Sequence, residues 1–283
     1  MARNIPEWLA PATLAEALEL RAHFGDAATV VAGGTFTGIL MRQRLIRPGA
    51  LLALRNVREL AFIESAGEGA LRIGAMTTHR AVEHSELIRQ GWPVLAHTFS
   101  LVASPRVRNQ ATVGGVLADA DYASDPPALL AALDARAIAR NPQGERAIPV
   151  TELITGYYET SLQPDELLTE VHIPGGVERA VYRKFRSRSS EDRPCVAVAA
   201  ARVRGRLRVV VGAVAERPQY FPDICALASN ERTGHELAVE IGRRYAAAID
   251  PISDSRGSAA YRRRVIAVEV RRALEDLDQE VQP

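Results

Sequence analysis

"VVAGGTFTGI" (residues 30–39) sets two glycines between an apolar run and a stretch with helical spacing. Residues 29–32 are β-branched or apolar, 36–45 read as helix, and 50–54 are apolar again. The segment is therefore a strand, glycine turn, helix, strand unit, and a helical crossover implies that its two strands pair in parallel. Gly33 and Gly34 supply a sharp turn, positive φ, or room for another group to approach the backbone, and this stretch alone leaves all three open. Just upstream, Thr13-Leu14-Ala15-Glu16 is a capping-box pattern, and Leu14, Ala17, Leu18 and Phe24 continue one helical face until Gly25 ends it.

A second glycine pair stands in "RVRNQATVGGVL" (106–117), after an apolar helix that ends near Ser104-Pro105. N–H groups freed at glycine turns and helix starts can hold a pyrophosphate without any lysine, and a dinucleotide would span both loops. Either pair alone is equally explained as a tight connection. No G-x-G-x-x-G follows a strand with an acidic residue some 20 positions on, which excludes an ordinary nicotinamide-dinucleotide site. Ten residues past Gly115 comes "ASDPPALLAALDA" (123–135), where Asp125 before two prolines has the form of an N-cap. The functional alternative is a carboxylate accepting from ribose hydroxyls.

The rest of the chain reads as α+β. A short strand at 71–74 alternates with helices near 78–89, 93–102 and 126–134, and a hairpin turns at Asn141-Pro142-Gln143-Gly144. Leu167 to Ile173 is a strand closed by Pro174-Gly175-Gly176, the best candidate for a domain boundary. Strands at 180–186, 196–203 and 207–214 follow, the last two joined across Gly205, and then two helices. The final helix puts Ile266, Val270, Ala273, Leu274 and Leu277 on one face.

With 283 residues, 47% of them hydrophobic, the chain has the material for more than one core. Its net charge of +1 argues against a nucleic-acid or membrane surface dominated by one sign. Cys195 and Cys225 are the only cysteines, too few for a disulfide framework or for four cluster thiolates, and both read as reduced thiols. No secretory signal or apolar run of spanning length is seen, so the expectation is a cytoplasmic protein without membrane insertion. The six histidines are scattered, His79 and His84 form no zinc motif, and "TTH" (77–79), taken alone, is sufficiently explained as a helix cap. Lys184, between Arg183 and Arg186, reads on its own as a solvated charge.

Seven segments in order, "VVAGGTFTGILMRQRL", "LRIGAMTTH", "ASPRVRNQATVGG", "ASDPPALLAALDA", "GYYETSLQPDELLTEVHIP", "KFRSRSSEDRP" and "PISDSRGSAAYRRRV", resemble the FAD-binding medium subunit of the molybdenum hydroxylases. That family includes aerobic carbon monoxide dehydrogenase and the flavin portion of xanthine dehydrogenase. The resemblance covers nearly the whole chain. It implies an FAD-binding fold of the vanillyl alcohol oxidase type over residues 1–175, with two α+β subdomains at about 1–58 and 59–175, and a C-terminal α+β domain over 176–283. Carried over residue by residue, Ala32, Gly33, Gly34, Thr35, Phe36 and Thr37 form one pyrophosphate loop, and Thr112, Val113, Gly114 and Gly115 the other. Val102 and Leu168 become apolar flavin contacts, Asp125 the carboxylate on the ribose or adenine side, and Lys184 the cation near the flavin. The same resemblance implies that the turn at Thr77, Thr78 and His79 lies near the cofactor. Val116 departs from the family, where Asn commonly follows the second pair, and the 191–194 segment lacks the aromatic some members place there. The resemblance implies no catalytic acid, base or metal ligand on this chain. Its partners would be a molybdenum-cofactor large subunit and a small [2Fe–2S] subunit in a dimer of heterotrimers. A self-contained FAD oxidoreductase acting directly on a small organic substrate is the alternative.

Overall fold

The glycine turn at 32–36 leaves the end of a short parallel sheet, and the rest of the fold is arranged around that end. The computed structural model describes residues 5–189, 192–228 and 233–279. Its first unit holds β1 (Glu7–Leu9), α1 (Leu14–Phe24), β2 (Ala28–Val31), α2 (Thr37–Arg42) and β3 (Ala50–Ala53), with sheet order β1-β3-β2. Both pairings are parallel, as the strand, turn, helix, strand pattern requires. Helix α1 starts where Thr13 accepts from the Glu16 N–H at 3.2 Å, and ends at Gly25 with φ 49°. The helix expected over 36–45 is shorter, because Arg44 takes φ 61° just past its end. Strand β1, three residues long, carries too little pattern to be found from sequence.

The second unit runs β4 (Ile63–Ala66), β5 (Ala70–Gly74), α3 (His79–His84), α4 (Glu86–Gly91), α5 (Pro93–Ser100), α6 (Pro105–Arg108), α7 (Val113–Ala118), α8 (Pro126–Ala132), β6 (Arg136–Asn141), β7 (Gly144–Pro149), α9 (Val150–Leu153), β8 (Ile154–Gly156), β9 (Glu159–Thr160) and β10 (Leu167–Ile173). Five of these strands form an antiparallel sheet in the order β4-β5-β10-β6-β7. The hairpin turns where expected, its Asn141 side chain accepting from the N–H groups of Gln143 and Gly144 at 3.0 Å. The helix expected over 78–89 is two helices. Ser85 leaves helical geometry with ψ 124°, and its hydroxyl caps α4 through the Ile88 N–H.

The third unit holds β11 (Val177–Phe185), β12 (Val196–Val203), β13 (Arg206–Gly212) and β14 (Gln219–Tyr220) in one antiparallel sheet, followed by α10 (Pro222–Cys225), α11 (His235–Ala248) and α12 (Ala259–Asp278). Strand β11 begins three residues before the expected 180, directly after Gly176. Every residue of β12 is buried because its two faces serve two cores. Ala197, Ala199 and Ala201 join the second unit's core with α8, whereas Val196, Val198 and Ala200 join that of α11 and α12. The small alanines let α8 approach closely; the valines contribute about 1.5–3 kcal/mol each on burial. The five apolar residues singled out on the last helix are all buried there. Both cysteines are free and buried, and Cys225 lies 3.2 Å from the Tyr245 hydroxyl. No helix among the described residues is long and apolar enough to cross a membrane.

Candidate functional site

Loop 32–36 and the start of α7 meet across a cleft of about 300 Å³ between the first and second units, with Lys184, Asp192 and Arg193 of the third unit also on its wall. The two glycine pairs reach this place for different reasons. A Cβ on Gly33 would overlap the Gln110 carbonyl, so Gly33 is bare to let the segment before the second pair dock on the loop. Gly34 has φ 67°, and a Cβ there would meet only Val31 Cγ1 at 3.6 Å, an ordinary contact, so there the backbone conformation is what demands glycine. A Cβ on Gly114 would stand 2.5 Å from that of Ala75, which makes Gly114 a packing contact. One on Gly115 would lie 3.7 Å from Ala32, where the two loops touch.

Their donors differ as well. The N–H groups of residues 33–36 have no hydrogen-bond partner among the described residues. In the second loop the donors from Val113 onward are taken: Val113 gives to the Thr77 carbonyl, Gly114 to that of Ala75, Gly115 to the Thr112 hydroxyl and Val116 to the Thr112 carbonyl, while the Thr112 N–H has no partner among the described residues. The run of open donors therefore sits on the first loop, and the glycine pair of the second braces it. Val113 is wholly buried in the second unit's core and does not line the cleft. Every other residue singled out from the sequence does.

Asp125 does not cap α8. Its backbone is already helical and its side chain makes no cap bond, because both oxygens turn into the protein. Oδ1 accepts from the Tyr182 hydroxyl at 2.7 Å, and Oδ2 from Lys184 Nζ at 2.9 Å. Lys184, with its side chain 2% exposed, also donates to the Leu101 carbonyl at 2.9 Å, so it is no solvated charge. This pair fastens β11 to the N-terminus of α8 at the cleft wall. Burial pushes the Asp125 carboxyl up, against the pull of Lys184. Val102 and Leu168 supply apolar wall nearby.

His79, read from the sequence only as part of a helix cap, lines the cleft, and Asp119, Asp121 and Arg193 beside it escaped the sequence reading. His79 is buried under the second loop with Nε2 3.2 Å from the Thr112 carbonyl, and burial lowers its pKa to about 4, so the ring is neutral. Its Nδ1 has no partner among the described residues. Asp119 has its pKa raised to about 7 by burial and by the charge of Asp121. Asp121 is held by Arg193 at 2.7 Å and accepts from the Ala123 N–H, which draws the segment after β11 over the cleft. Glu191, in that same segment, lies outside the described residues. At the rim Phe36 stacks on Tyr158 with centroids 5.6 Å apart. Spacing could not find these residues, since nothing in "ADADYASD" separates a paired carboxylate from an unpaired one.

Residues 3–176 match the family described as the FAD binding domain in molybdopterin dehydrogenase, and residues 180–277 the CO dehydrogenase flavoprotein C-terminal domain. The chain belongs to the FAD-binding medium subunits of the molybdenum hydroxylases. Among relatives of this medium subunit, the 6-hydroxypseudooxynicotine dehydrogenase complex subunit alpha of Paenarthrobacter nicotinovorans is 34% identical over 91% of this chain and 89% of the relative. The nicotine 6-hydroxylase medium subunit of the same organism is 31% identical, covering 94% and 95%. Among solved structures, carbon monoxide dehydrogenase from Hydrogenophaga pseudoflava superposes with a TM-score of 0.91 at 28% identity, covering 98% of both chains. Quinoline 2-oxidoreductase from Pseudomonas putida 86 gives 0.89 at 29%, covering 99% of both.

The medium subunit is thus a flavoprotein component of a molybdenum-dependent oxidoreductase, with the α+β FAD-binding architecture and a C-terminal α+β domain. Its cleft fits the cofactor on its own terms. Four unpartnered N–H groups in a row at a glycine turn suit a diphosphate, and the apolar walls suit a flat ring.

Proposed function

We propose that this medium subunit takes electrons from a [2Fe–2S] partner subunit and passes them to an external acceptor. The observation that carries the reading is the row of open N–H donors at 33–36 beside an apolar cleft. Among the described residues there is no group of His, Cys, Asp or Glu able to hold a metal. Bound FAD would supply the coupling between one-electron donors and a two-electron acceptor. The chain's own residues bind and orient: loop 33–36 receives the diphosphate, Val102 and Leu168 flank the ring, and the Asp125–Lys184 pair fixes the wall between them. Ala32, Thr35 and Thr37 shape the same loop, and Thr112, Gly114 and Gly115 brace it from below.

In this reading the molybdenum cofactor and the clusters reside on partner chains, in a dimer of two heterotrimers in the cytoplasm, and the chain divides at 175/176. Relatives are named for nicotine, quinoline and carbon monoxide, so substrate choice belongs to the partner that carries molybdenum. The test is to purify the chain alone and co-expressed with the products of its neighbouring genes, then add candidate N-heteroaromatic substrates without oxygen. Flavin bleaching in the assembly and none in the isolated chain supports electron delivery by the partner. Bleaching of the isolated chain at the assembly's rate would make it a self-contained oxidoreductase.

A further inference from the structure

A second cavity, of about 370 Å³, opens at the far end of strand β10 from the cofactor cleft. Leu167 and Leu168 of that strand line the cleft, whereas His172 and Ile173 line the cavity, and the stretch from Leu168 to Ile173 spans ~17 Å. Helix α8 separates the two sites in the same way, with Asp125 at the cleft and Asp134, past its other end, at the cavity. The cavity floor is apolar, made by Ala66, Ala70, Leu71, Ile173 and Pro174. Beside it a Cβ on Gly175 would overlap the Glu68 carbonyl, and the Arg204 N–H donates to the Gly176 carbonyl at 2.8 Å. The cavity therefore lies at the junction of the second and third units.

Charge on its walls does not balance. Arg72 and His172 are already directed at Glu170, 2.6 and 3.2 Å away, and Asp134, the one carboxylate on the wall, is held by Arg208 at 3.2 Å. Arg136 and Arg204, on the same wall, have no hydrogen bond or ion pair among the described residues. An unpaired surface arginine needs no explanation by itself, but Arg204 stands where arginine is unfavourable. Val203 and Arg206 pair across a two-residue hairpin whose central residues are both left-handed, Arg204 at φ 52° and Gly205 at φ 73°. Such a turn favours Asn-Gly, so arginine strains it, and what arginine adds is a guanidinium on the cavity wall.

We infer that this cavity binds a small organic anion, a carboxylate or phosphate on an apolar body, held by Arg136 and Arg204 where the second and third units meet. A mainly apolar lining with a few placed polar groups, in a volume of this size, is what a small-molecule site offers. The guanidinium forks match the paired oxygens of a carboxylate or phosphate, and the floor takes the apolar body. A bare inorganic anion would leave the floor uncovered, and a neutral apolar molecule would leave both arginines without a counter-charge. None of the residues that hold the anion lines the cofactor cleft, so the site stands apart from the electron-transfer reading.

The test titrates the flavin-loaded full chain by calorimetry, alone and in the assembly with the products of its neighbouring genes. Benzoate and phenyl phosphate are the probes; benzamide lacks the charge of the first and inorganic phosphate the apolar body of the second. Arg136→Gln and Arg204→Asn are compared with Arg264→Gln, an exposed position on α12. The expected result is that at least one probe binds about tenfold or more tightly than its control, is weakened about tenfold or more in the first two variants, and is unchanged in the third. Arg204→Asn relaxes the turn and should keep or raise Tm, so binding lost there is not folding lost. If neither probe binds, if each control binds as well as its probe, or if the two cavity variants bind like wild type, the site is wrong. Binding to the isolated chain that vanishes in the assembly would make the cavity a subunit contact and overturn the assignment.

Discussion

Gly34 and Asp125 carry the cleft's sharpest tests. At Gly34 the cost of a side chain is conformational, so Gly34→Val should strain the loop by about 1–2 kcal/mol and turn its donors away. Flavin affinity measured by titration of the apoprotein should fall at least tenfold while the far-ultraviolet circular dichroism is kept. Asp125 separates a cap from an ion pair. Losing a cap costs about 0.5–2 kcal/mol, but Asp125→Ser strands a lysine with its side chain 2% exposed, and removing one partner of a buried pair costs about 3–5 kcal/mol. Urea unfolding of the apoprotein should show the larger loss, and a Lys184→Met change added to it should cost much less than its own effect alone. Asp119 gives a pH signature. Its folded pKa of about 7 stands above the ordinary 3.8, so between those values the folded chain holds a proton that the unfolded chain has lost. Stability from this group is therefore intact below about 3.8 and lost as pH rises through 7. Asp119→Asn should raise Tm by about 2–4 °C at pH 8 and by little at pH 4. His79 works the other way, since its folded pKa of about 4 lies below 6.5 and acid destabilises the fold across that interval.

Among the elements, what the sequence made legible were those whose signal is local. The capping box of α1, the 141–144 hairpin, the apolar face of α12 and the parallel pairing around the first glycine turn all follow from residues within one turn or one repeat of each other. The break between α3 and α4 was also local, in Ser85, but a continuous apolar spacing hid it. What could not be read were long-range partners. Asp125 meets Tyr182 and Lys184 from 57 and 59 residues away, so its cap-like surroundings misled. The glycine pairs look alike in sequence, and only packing tells that one presents donors and the other uses them. This makes the two pairs separable by mutation. Gly114→Ala must push against Ala75 and should lower stability by about 1–3 kcal/mol, an overpacking cost read by urea unfolding, while Gly34→Val acts chiefly on flavin.

At the scale of the whole molecule, three cores are joined at one place. Strand β12 shares its faces between two of them, the Asp125–Lys184 pair ties the third unit to α8, and the Gly33 contact with Gln110 locks the first unit to the second. The cleft exists only where all three meet, so its cofactor should stabilise the chain as a unit, raising Tm with added FAD as binding to the native state alone requires. Family membership and the open loop converge on one claim: this chain holds FAD. The most direct measurement is to denature the purified chain with acid, chromatograph the released flavin and count it against protein. The account predicts one noncovalent FAD per chain, lost in Gly34→Val. A colourless chain that also takes up no added FAD would contradict it.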